Sequence, residues 1–253
     1  MKLVEDVQGS KMYVDRGDIL NLEANRVHES SETAYIRNVI KEGDIAIDVG
    51  AHIGYFTLIF SKLVGAKGSV FVFEPEPSSF GILQKNKDIN MYSNIHLINK
   101  AITDKTGDKI KLYLSEGNLG DHRTYDSHDN RKFVEVETIK LDDYVSDCIS
   151  KDDIDKISFI KIDTQGAEVG VIEGASNILT NNKNIKVMVE FWPLGLSLSG
   201  NSREKLLDIL TNRFGFKLYY TINGRELIHI TIDYLIETYG PDSVSYINLI
   251  CMR

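Results

Sequence analysis

The sequence has very little cysteine, with Cys148 and Cys251 as its only two among 253 residues. They lie far apart and show none of the spacings of a zinc site, so we predict neither a disulfide framework nor a metal centre. Buried thiols are the simplest role for them. Such sparing use of cysteine fits a reducing compartment, and we expect a cytoplasmic protein.

Long apolar runs and an excess of basic residues are also missing. No run reaches the roughly 18 residues of a membrane span, and Met1–Ser10 lacks the apolar core of a signal peptide. The 29 Lys and Arg residues against 37 Asp and Glu give a formal net charge of −8, which leaves no overall basic surface for nucleic acid. We therefore expect no membrane span and no nucleic-acid partner.

What the chain does have is a strand, a glycine turn and a helix between Asp44 and Thr57. The short apolar run that meets Asp48 predicts a buried strand, and apolar residues return at helical spacing from Tyr55. Gly50 and Gly54 let the backbone turn sharply and approach a ligand, while the following helix offers unpaired N–H groups. The pattern is typical of a site for a nucleotide-like cofactor.

Two acids indicate which cofactor to expect. This turn lacks the close-approach glycine of the dinucleotide fingerprint and has Asp48 at the strand end, where a carboxylate repels a pyrophosphate. Glu74 follows the next predicted strand, Ser69–Phe73, and lies 26 residues after Asp48, where an acid holds a ribose diol. Acids at two successive strand ends suit S-adenosylmethionine.

Five short motifs carry a wider resemblance: D-V-G-A-H-I-G-Y-F-T, F-E-P-E-P-S-S-F, A-I-T-D-K-T-G, L-D-D-Y and K-I-D-T-Q-G-A-E. In order and spacing they resemble the FkbM family of S-adenosylmethionine-dependent methyltransferases, over roughly Glu32–Met252. The resemblance implies a Rossmann-like class I methyltransferase domain over residues 41–253. It also implies that residues 1–40 are a lead-in that covers the cofactor, in which a packing role for Glu32 is as consistent as a ligand contact.

The same resemblance implies which residues bind S-adenosylmethionine. Ala101 begins a segment that holds the adenine end in methyltransferases, although a plain strand-to-loop corner is an equal alternative there. The implied cofactor-binding residues are Asp48, Gly50, Ala51, His52, Gly54, Tyr55, Thr57, Glu74, Pro75, Ala101 and Asp163.

Strands and helices alternate from Asp44 to Trp192, which is typical of a doubly wound α/β sheet whose strands are mostly parallel. We predict about seven strands. The tail predicts a helix over Ser202–Asn212, a strand over Phe216–Thr221, a helix over Ile232–Tyr239 and a closing antiparallel strand over Tyr246–Cys251.

Four acids follow predicted strands and should meet beyond the carboxyl ends of the sheet, where open α/β sheets bind ligands. They are Asp48, Glu74, Asp163 and Glu190. We expect the first two to hold the cofactor. Asp163 and Glu190 are our candidates for catalysis, because a hydroxyl acceptor needs a base, although either could instead cap a helix.

Two further features bear on the acceptor. Gln165 stands where the family most often has the acid of D-V-E-G, so one charge is missing beside the pocket. The polar stretch Ser115–Lys132 is longer than connections usually are, and we expect it to form part of the acceptor pocket. Its His122 is a candidate base, because neutral imidazole titrates in the useful range, or else a solvated loop residue.

The predicted function is O-methylation of a hydroxyl on a sugar, glycan or secondary metabolite, as the family implies, with a small-molecule or glycan acceptor. One alternative is a module that binds the cofactor without chemistry, and the missing acid at Gln165 keeps it open. A nicotinamide oxidoreductase is a third hypothesis, which Asp48 and the missing glycine weaken.

Overall fold

The computed structural model describes residues 1–15 and 17–253. The strands in these ranges are β1 (Lys2–Val7), β2 (Ser10–Val14), β3 (Ile45–Val49), β4 (Ser69–Phe73), β5 (Ile95–Ile98), β6 (Ala101–Ile102), β7 (Lys109–Tyr113), β8 (Phe133–Ile139), β9 (Ile157–Ile162), β10 (Lys186–Phe191), β11 (Lys217–Thr221), β12 (Leu227–His229) and β13 (Ile247–Met252). The helices are α1 (Leu22–Asn25), α2 (Ser30–Val39), α3 (Tyr55–Val64), α4 (Pro77–Ile89), α5 (Leu141–Cys148), α6 (Glu168–Gly174), α7 (Ser176–Asn181), α8 (Pro193–Leu198), α9 (Arg203–Asp208) and α10 (Ile232–Thr238). Short 3₁₀ turns cover Gly65–Lys67 and Lys151–Lys156, and a π turn covers Ile209–Arg213.

The central sheet has eight strands in the order β12-β11-β13-β10-β9-β3-β4-β5. The strands from β10 to β5 run parallel, and β13 returns antiparallel between β10 and β11. Strand β3 is buried along its whole length, which is why it is a nearly continuous apolar run in the sequence. The predicted α/β fold, doubly wound and mostly parallel with antiparallel C-terminal strands, is confirmed.

Three local features go beyond the predictions or refine them. The sheet has eight strands instead of about seven, because β12 pairs with β11 after the turn at Asn223–Gly224, and its three residues are too few to show a period. Strand β1 was not predicted, because its exposed charged residues hide the buried Val4 and Val7. The helix predicted over Ser202–Asn212 begins at Arg203 and passes into the π turn.

Helices cover both faces of the central sheet. On one face α5, α6, α7 and α9 bury residues such as Leu141 and Ile172, and on the other α2, α3 and α4 bury residues such as Phe60 and Leu83. Helix α3 is buried on nearly all sides, because it shares a cluster with the sheet and with the β1–β2 hairpin. None of the helices within the described ranges combines the length and apolar character needed to cross a bilayer.

Two asparagine side chains of α4 and its C-terminal cap fix the β1–β2 hairpin. The amide of Asn90 accepts from the backbone N–H of Lys11 at 2.9 Å and donates to its carbonyl at 2.7 Å. The amide of Asn86, which is fully buried, accepts from the backbone N–H of Tyr13 at 2.6 Å and donates to its carbonyl at 3.0 Å. Burial of Met12 and Val14 adds apolar contact to this attachment. The hairpin is therefore anchored on α4, and the segment that follows it begins from a fixed position.

The small sheet β6-β8-β7 carries the long polar loop. Tyr113 and Arg123 exchange backbone hydrogen bonds of 2.7 and 3.0 Å, which closes the first half of the loop. The carboxylate of Asp121 accepts from the guanidinium groups of Arg123 at 2.7 Å and Arg131 at 2.8 Å. These bonds give the loop a defined structure that no periodicity in its sequence predicts.

Candidate functional site

The carboxyl ends of the parallel strands open into a cavity of about 460 Å³. The side chains at the ends of β3, β4, β9 and β10 form the cavity floor: Asp48, Glu74, Lys161, Asp163, Gln165 and Glu190. Three other segments form the cavity rim: Ile19, Leu20, His28 and Glu29 before α2, residues 118–124 of the long loop, and Val244 and Tyr246 before β13. All four acids predicted to meet at this edge therefore lie in one cavity.

The glycine turn between β3 and α3 is held by its own hydrogen bonds. The N–H groups of Gly50 and Ala51 donate to the carbonyl of Phe73 at 2.9 and 3.2 Å. The N–H of Gly54 donates to the carbonyl of Ala51 at 2.9 Å, and that of His52 to the carboxylate of Glu74 at 2.7 Å. The turn thus offers a ligand none of these N–H groups, and a pyrophosphate would find no donors among them.

The two glycines of the turn are required for different reasons. Gly50 has φ +80°, and a Cβ there would lie 1.9 Å from the carbonyl oxygen of Asp163, so a glycine is needed for β3 and β9 to meet below the cavity. Gly54 has φ +92°, and a Cβ there would lie 2.4 Å from the side chain of Leu83 on α4. Gly50, with Ala51, His52 and Tyr55, lines the cavity, whereas Gly54 lies outside its lining.

Asp48 has two tasks, one for each carboxylate oxygen. Oδ2 accepts from the hydroxyl of Thr57 at 2.6 Å, which ties the strand end to the first turn of α3. Oδ1 is buried and has no hydrogen-bond partner among the described residues. Burial raises the pKa of Asp48, while Lys161 opposes that rise. Thr57, predicted to contact the cofactor, lies outside the cavity lining and acts through Asp48.

Glu74 lies at the end of the neighbouring strand and is nearly fully buried. Its carboxylate accepts from the N–H groups of His52 at 2.7 Å and Glu76 at 2.8 Å. Burial raises the pKa of Glu74 to about 8, although both hydrogen bonds oppose this. Each oxygen keeps a lone pair for a ligand hydroxyl. Pro75 and Ala101, both predicted to contact the cofactor, also line the cavity.

Lys161 is a floor residue that the sequence analysis missed. It lies on β9 directly beside Asp48 on β3, and its Nζ donates to Asp163 Oδ2 at 2.9 Å. Burial disfavours the charged ammonium, but the carboxylates of Asp163 and Asp48 outweigh burial and raise the pKa of Lys161. The same ion pair outweighs the burial of Asp163 and lowers its pKa. A lysine inside the apolar run Ile157–Ile162 was the available sequence signal.

Gln165 joins the two acids predicted to be catalytic. Its Nε2 donates to Asp163 Oδ1 at 2.9 Å and to Glu190 Oε2 at 3.1 Å. Burial raises the pKa of Glu190 well above its usual range, and the nearby charge of Asp163 raises it further. Gln165 lies in the turn that follows β9, and Glu168 holds this turn. Glu168 Oε1 accepts from the N–H groups of Thr164 at 3.0 Å and Gly166 at 3.1 Å. Gln165 therefore connects two carboxyl groups that differ in proton affinity.

His122 lines the cavity, but its hydrogen bonding does not suit a base. Its Nδ1 accepts from the N–H of Ser115 at 3.1 Å, so the neutral ring carries its proton on Nε2. Burial lowers the pKa of His122, which favours this neutral form. Nε2 is buried without a partner among the described residues and acts as a donor. Because Nε2 is buried, His122 is not a freely solvated loop residue, and its role as a base stays a prediction.

The segment before α2 also reaches the cavity. Ile19, Leu20 and His28 line it, and Glu29 Oε2 is a buried oxygen with no hydrogen-bond partner among the described residues. Glu32 is not part of the lining, and burial raises its pKa beside Asn248. Of the two roles considered for Glu32, the structure therefore matches packing.

The arrangement fits a cationic, ribose-bearing cofactor. Asp48 Oδ1 and Glu29 Oε2 each lack a donor in the described chain, and buried carboxylate oxygens normally have one. Glu74, one strand away from Asp48, retains acceptor capacity for a diol. Fold and cavity together define an α/β protein with a nucleoside-cofactor site at the sheet edge, where negative charge favours a sulfonium or ammonium group over a phosphate.

Comparison with known proteins identifies the family. A model of the methyltransferase FkbM domain matches residues 48–218, more than half of the chain. The chain therefore belongs to the FkbM family of S-adenosylmethionine-dependent methyltransferases, and S-adenosylmethionine is its cofactor. The family resemblance found in the motifs is confirmed.

Individual relatives are distant. The chain is 27% identical over 161 residues to the 2-O-methyltransferase NoeI of Sinorhizobium fredii, covering 57% of this chain and 63% of the relative. It is 27% identical over 139 residues to the hexuronic acid methyltransferase AglP of Haloferax volcanii, covering 55% of this chain and 53% of the relative. It thus spans less than two thirds of the length of either. A solved methyltransferase FkbM from Methylobacillus flagellatus is 17% identical with a TM-score of 0.48, covering 92% of this chain and 52% of that chain.

Proposed function

We propose that this protein transfers a methyl group from S-adenosylmethionine to a hydroxyl of a sugar or glycan. The observation that carries the proposal is the pair of carboxyl groups, Asp163 and Glu190, which Gln165 Nε2 joins at 2.9 and 3.1 Å in the cavity floor. Two acceptors held together suit the hydroxyl groups of a sugar. The two relatives support the same choice, because one is named a 2-O-methyltransferase and the other a hexuronic acid methyltransferase.

The two carboxyl groups receive different roles. A general base works best with a pKa near the working pH, and Glu190 has its pKa raised in that direction. We assign to Glu190 the proton of the acceptor hydroxyl. Asp163, kept ionised by Lys161, accepts a hydrogen bond that orients the hydroxyl. When bound, the cofactor would supply a sulfonium methyl group for in-line transfer to the acceptor oxygen, with the thioether of S-adenosylhomocysteine as the leaving group.

The remaining predicted residues hold the cofactor in this proposal. Glu74 binds the ribose diol and Asp48 faces the cationic end, as their free acceptor capacity supports. The wall between them is formed by Gly50, Ala51, His52, Tyr55, Pro75 and Ala101.

We also propose that residues 1–40 act as a lead-in that covers the cofactor and that residues 41–253 form the catalytic domain. The presence of Ile19, Leu20, His28 and Glu29 in the cavity rim supports this division. Trp192 also lines the cavity, and its ring centroid lies 5.0 Å from the guanidinium carbon of the rim residue Arg123. An aromatic face beside polar groups is a frequent composition of pockets for small molecules.

The test is a product assay with methyl-labelled S-adenosylmethionine and a panel of hexoses, uronic acids and oligosaccharides. We expect S-adenosylhomocysteine release and a new O-methyl signal in the NMR spectrum of one acceptor class. Glu190→Gln and Asp163→Asn variants that still bind S-adenosylhomocysteine should lose turnover. Methylation at nitrogen or carbon, or undiminished turnover in both variants, would reject the proposal. Cofactor binding without any product would favour the non-catalytic module.

A further inference from the structure

The proposed methyl transfer leaves one charged floor residue, Lys161, without a direct contact to a ligand. Lys161 has a side chain that is only 5% exposed, and it lines the cavity. Its Nζ donates to Asp163 and lies 5.0 Å from the centroid of the Phe56 ring. An ammonium group in such a place needs compensation by hydrogen bonds and opposite charge.

The hydrogen bonds of Lys161 are incomplete. An ammonium group has three N–H donors, and among the described residues Nζ has one hydrogen-bond acceptor, Asp163 Oδ2 at 2.9 Å. The aromatic face of Phe56 is a weaker contact. The ammonium group of Lys161 therefore has N–H donors left for a ligand in the cavity.

Other donors near the floor are engaged or uncharged, and the unpaired Nε2 of His122 belongs to a neutral ring in the rim. The N–H groups of residues 50–52 and 54 bond within the protein. Arg123 donates to Asp121, and Lys100 at the cavity wall pairs with Glu137 at 3.0 Å. Burial lowers the pKa of His28, which keeps its ring neutral. An anionic group of the cofactor therefore finds its best donor at Lys161.

The position of Lys161 also matches the shape of an α-amino acid. Lys161 is the register partner of Asp48 on the adjacent parallel strand, so both side chains project from the same face of the sheet. Asp48 Oδ1 lacks a donor, while Lys161 Nζ has donors to spare. This pair is complementary to a zwitterion, with its ammonium group at Asp48 and its carboxylate at Lys161.

We propose that Lys161 binds the α-carboxylate of the methionyl part of S-adenosylmethionine, beside the α-ammonium group at Asp48. The proposal rests on the cofactor and is independent of the acceptor. It makes Lys161 the residue that distinguishes the intact cofactor from analogues without the carboxylate.

Calorimetric titration with four probes tests the assignment: S-adenosylmethionine, its decarboxylated analogue, S-adenosylhomocysteine and 5′-methylthioadenosine, which lacks the whole amino-acid part. In the wild-type protein, loss of the carboxylate should weaken binding about tenfold or more, as expected for a charge-assisted hydrogen bond. In Lys161→Met this preference for S-adenosylmethionine over the decarboxylated analogue should fall to about one. Binding of 5′-methylthioadenosine should stay the same.

Two matched variants keep the test decisive. Lys161→Met leaves Asp163 without its partner, so the double variant Lys161→Met/Asp163→Asn removes both charges and should show the same loss of preference. Lys100→Met removes another cavity lysine and should leave the preference intact. A preference that survives in both Lys161 variants, or an equal loss for 5′-methylthioadenosine, would overturn the proposal. Neither result depends on finding an acceptor.

Discussion

The floor and the rim of the cavity are built in different ways. In the floor, Asp48 is 1% exposed and Glu190 is 6% exposed, and both lie on strands whose register is fixed by backbone hydrogen bonds. In the rim, Tyr246 is 50% exposed and Val244 is 75% exposed, and the segments are loops. A floor residue cannot move without its strand, whereas a rim segment can be exchanged as a loop. We infer that the floor holds the cofactor and the reacting groups, and that the exposed rim residues outside the lead-in, such as Tyr246, select the acceptor.

The largest effect is expected where the floor is tightest. Gly50→Ala places a Cβ 1.9 Å from the backbone oxygen of Asp163 at a φ of +80°, so β3 and β9 must separate. We expect the free energy of unfolding to fall by about 2–4 kcal/mol and cofactor binding to be lost. Urea denaturation and titration with S-adenosylhomocysteine measure both effects.

Gly43→Ala is the matched control for that change. Gly43 has a φ of +88°, but a Cβ there would meet nothing within 4 Å. Only the strained backbone conformation remains, and it costs about 1–2 kcal/mol. If Gly43→Ala destabilised the protein as much as Gly50→Ala, close approach of the two strands would not explain the glycine at position 50.

The second prediction concerns the pH dependence of the floor. Because burial raises the pKa of Glu74 to about 8, the folded carboxyl group holds its proton more tightly than the unfolded one. Glu74 therefore stabilises the fold below its unfolded pKa, and this stabilisation is lost as the pH rises to about 8, by at most ~1.4 kcal/mol per pH unit. In Glu74→Gln the slope of urea unfolding free energy between about pH 5 and pH 8 should become shallower by this contribution, while Glu190, whose pKa burial also raises, keeps its own.

The exposed carboxylate of Glu116 provides the control for Glu74. Its side chain is 79% exposed, so Glu116→Gln should leave the slope of stability against pH as in the wild-type protein. A wild-type slope that persists in Glu74→Gln would show that the buried carboxyl group is not its source.

A rim change should separate acceptor binding from cofactor binding. Tyr246→Ala removes an exposed ring from the edge of the cavity, so the fold should keep its stability within about 0.5 kcal/mol. We expect KM for the acceptor to rise several-fold while the Kd for S-adenosylhomocysteine stays within about twofold. Steady-state kinetics and calorimetry distinguish these quantities, and a parallel loss of both would contradict the division into floor and rim.

The last effect is expected where the long loop contacts the floor residue Gln165. The hydroxyl of Tyr125 donates to the carbonyl of Gln165 at 2.7 Å. Tyr125→Phe removes this hydrogen bond and should cost about 1 kcal/mol in the free energy of unfolding. Tyr234→Phe, at a residue that is 54% exposed, should cost nothing measurable. Equal urea midpoints for the two variants would mean that the contact does not hold the loop.

The same contrast explains what the sequence could predict. Asp48 and Glu74 were predictable because each directly follows an apolar run, and parallel strands bring such ends together. Lys161 could not be predicted because it lies inside the strand Ile157–Ile162, and its place beside Asp48 depends on the register between β9 and β3. The N–H groups of the glycine turn are engaged with Phe73 and Glu74 on the neighbouring strand, and such pairing depends on register between strands.

The structure of the rim could not be predicted in the same way, because it depends on contacts that no local sequence pattern indicates. The stretch Ser115–Lys132 was predicted to contribute to the pocket, and residues 118–124 do line it. The hydrogen bond from the N–H of Ser115 to His122 Nδ1 leaves the ring proton on Nε2. The loop conformation is held by hydrogen bonds from Arg123 and Arg131 to the carboxylate of Asp121. These bonds join residues within one aperiodic segment, so spacing alone could not predict them.

The most direct test of the account is calorimetric titration of S-adenosylhomocysteine into the wild-type protein, Asp48→Asn and Tyr246→Ala. If the floor recognises the cofactor, Asp48→Asn should weaken binding about tenfold or more and Tyr246→Ala should leave it unchanged. Equal affinities in all three proteins, or tighter binding of NADH than of S-adenosylhomocysteine by the wild-type protein, would contradict the account.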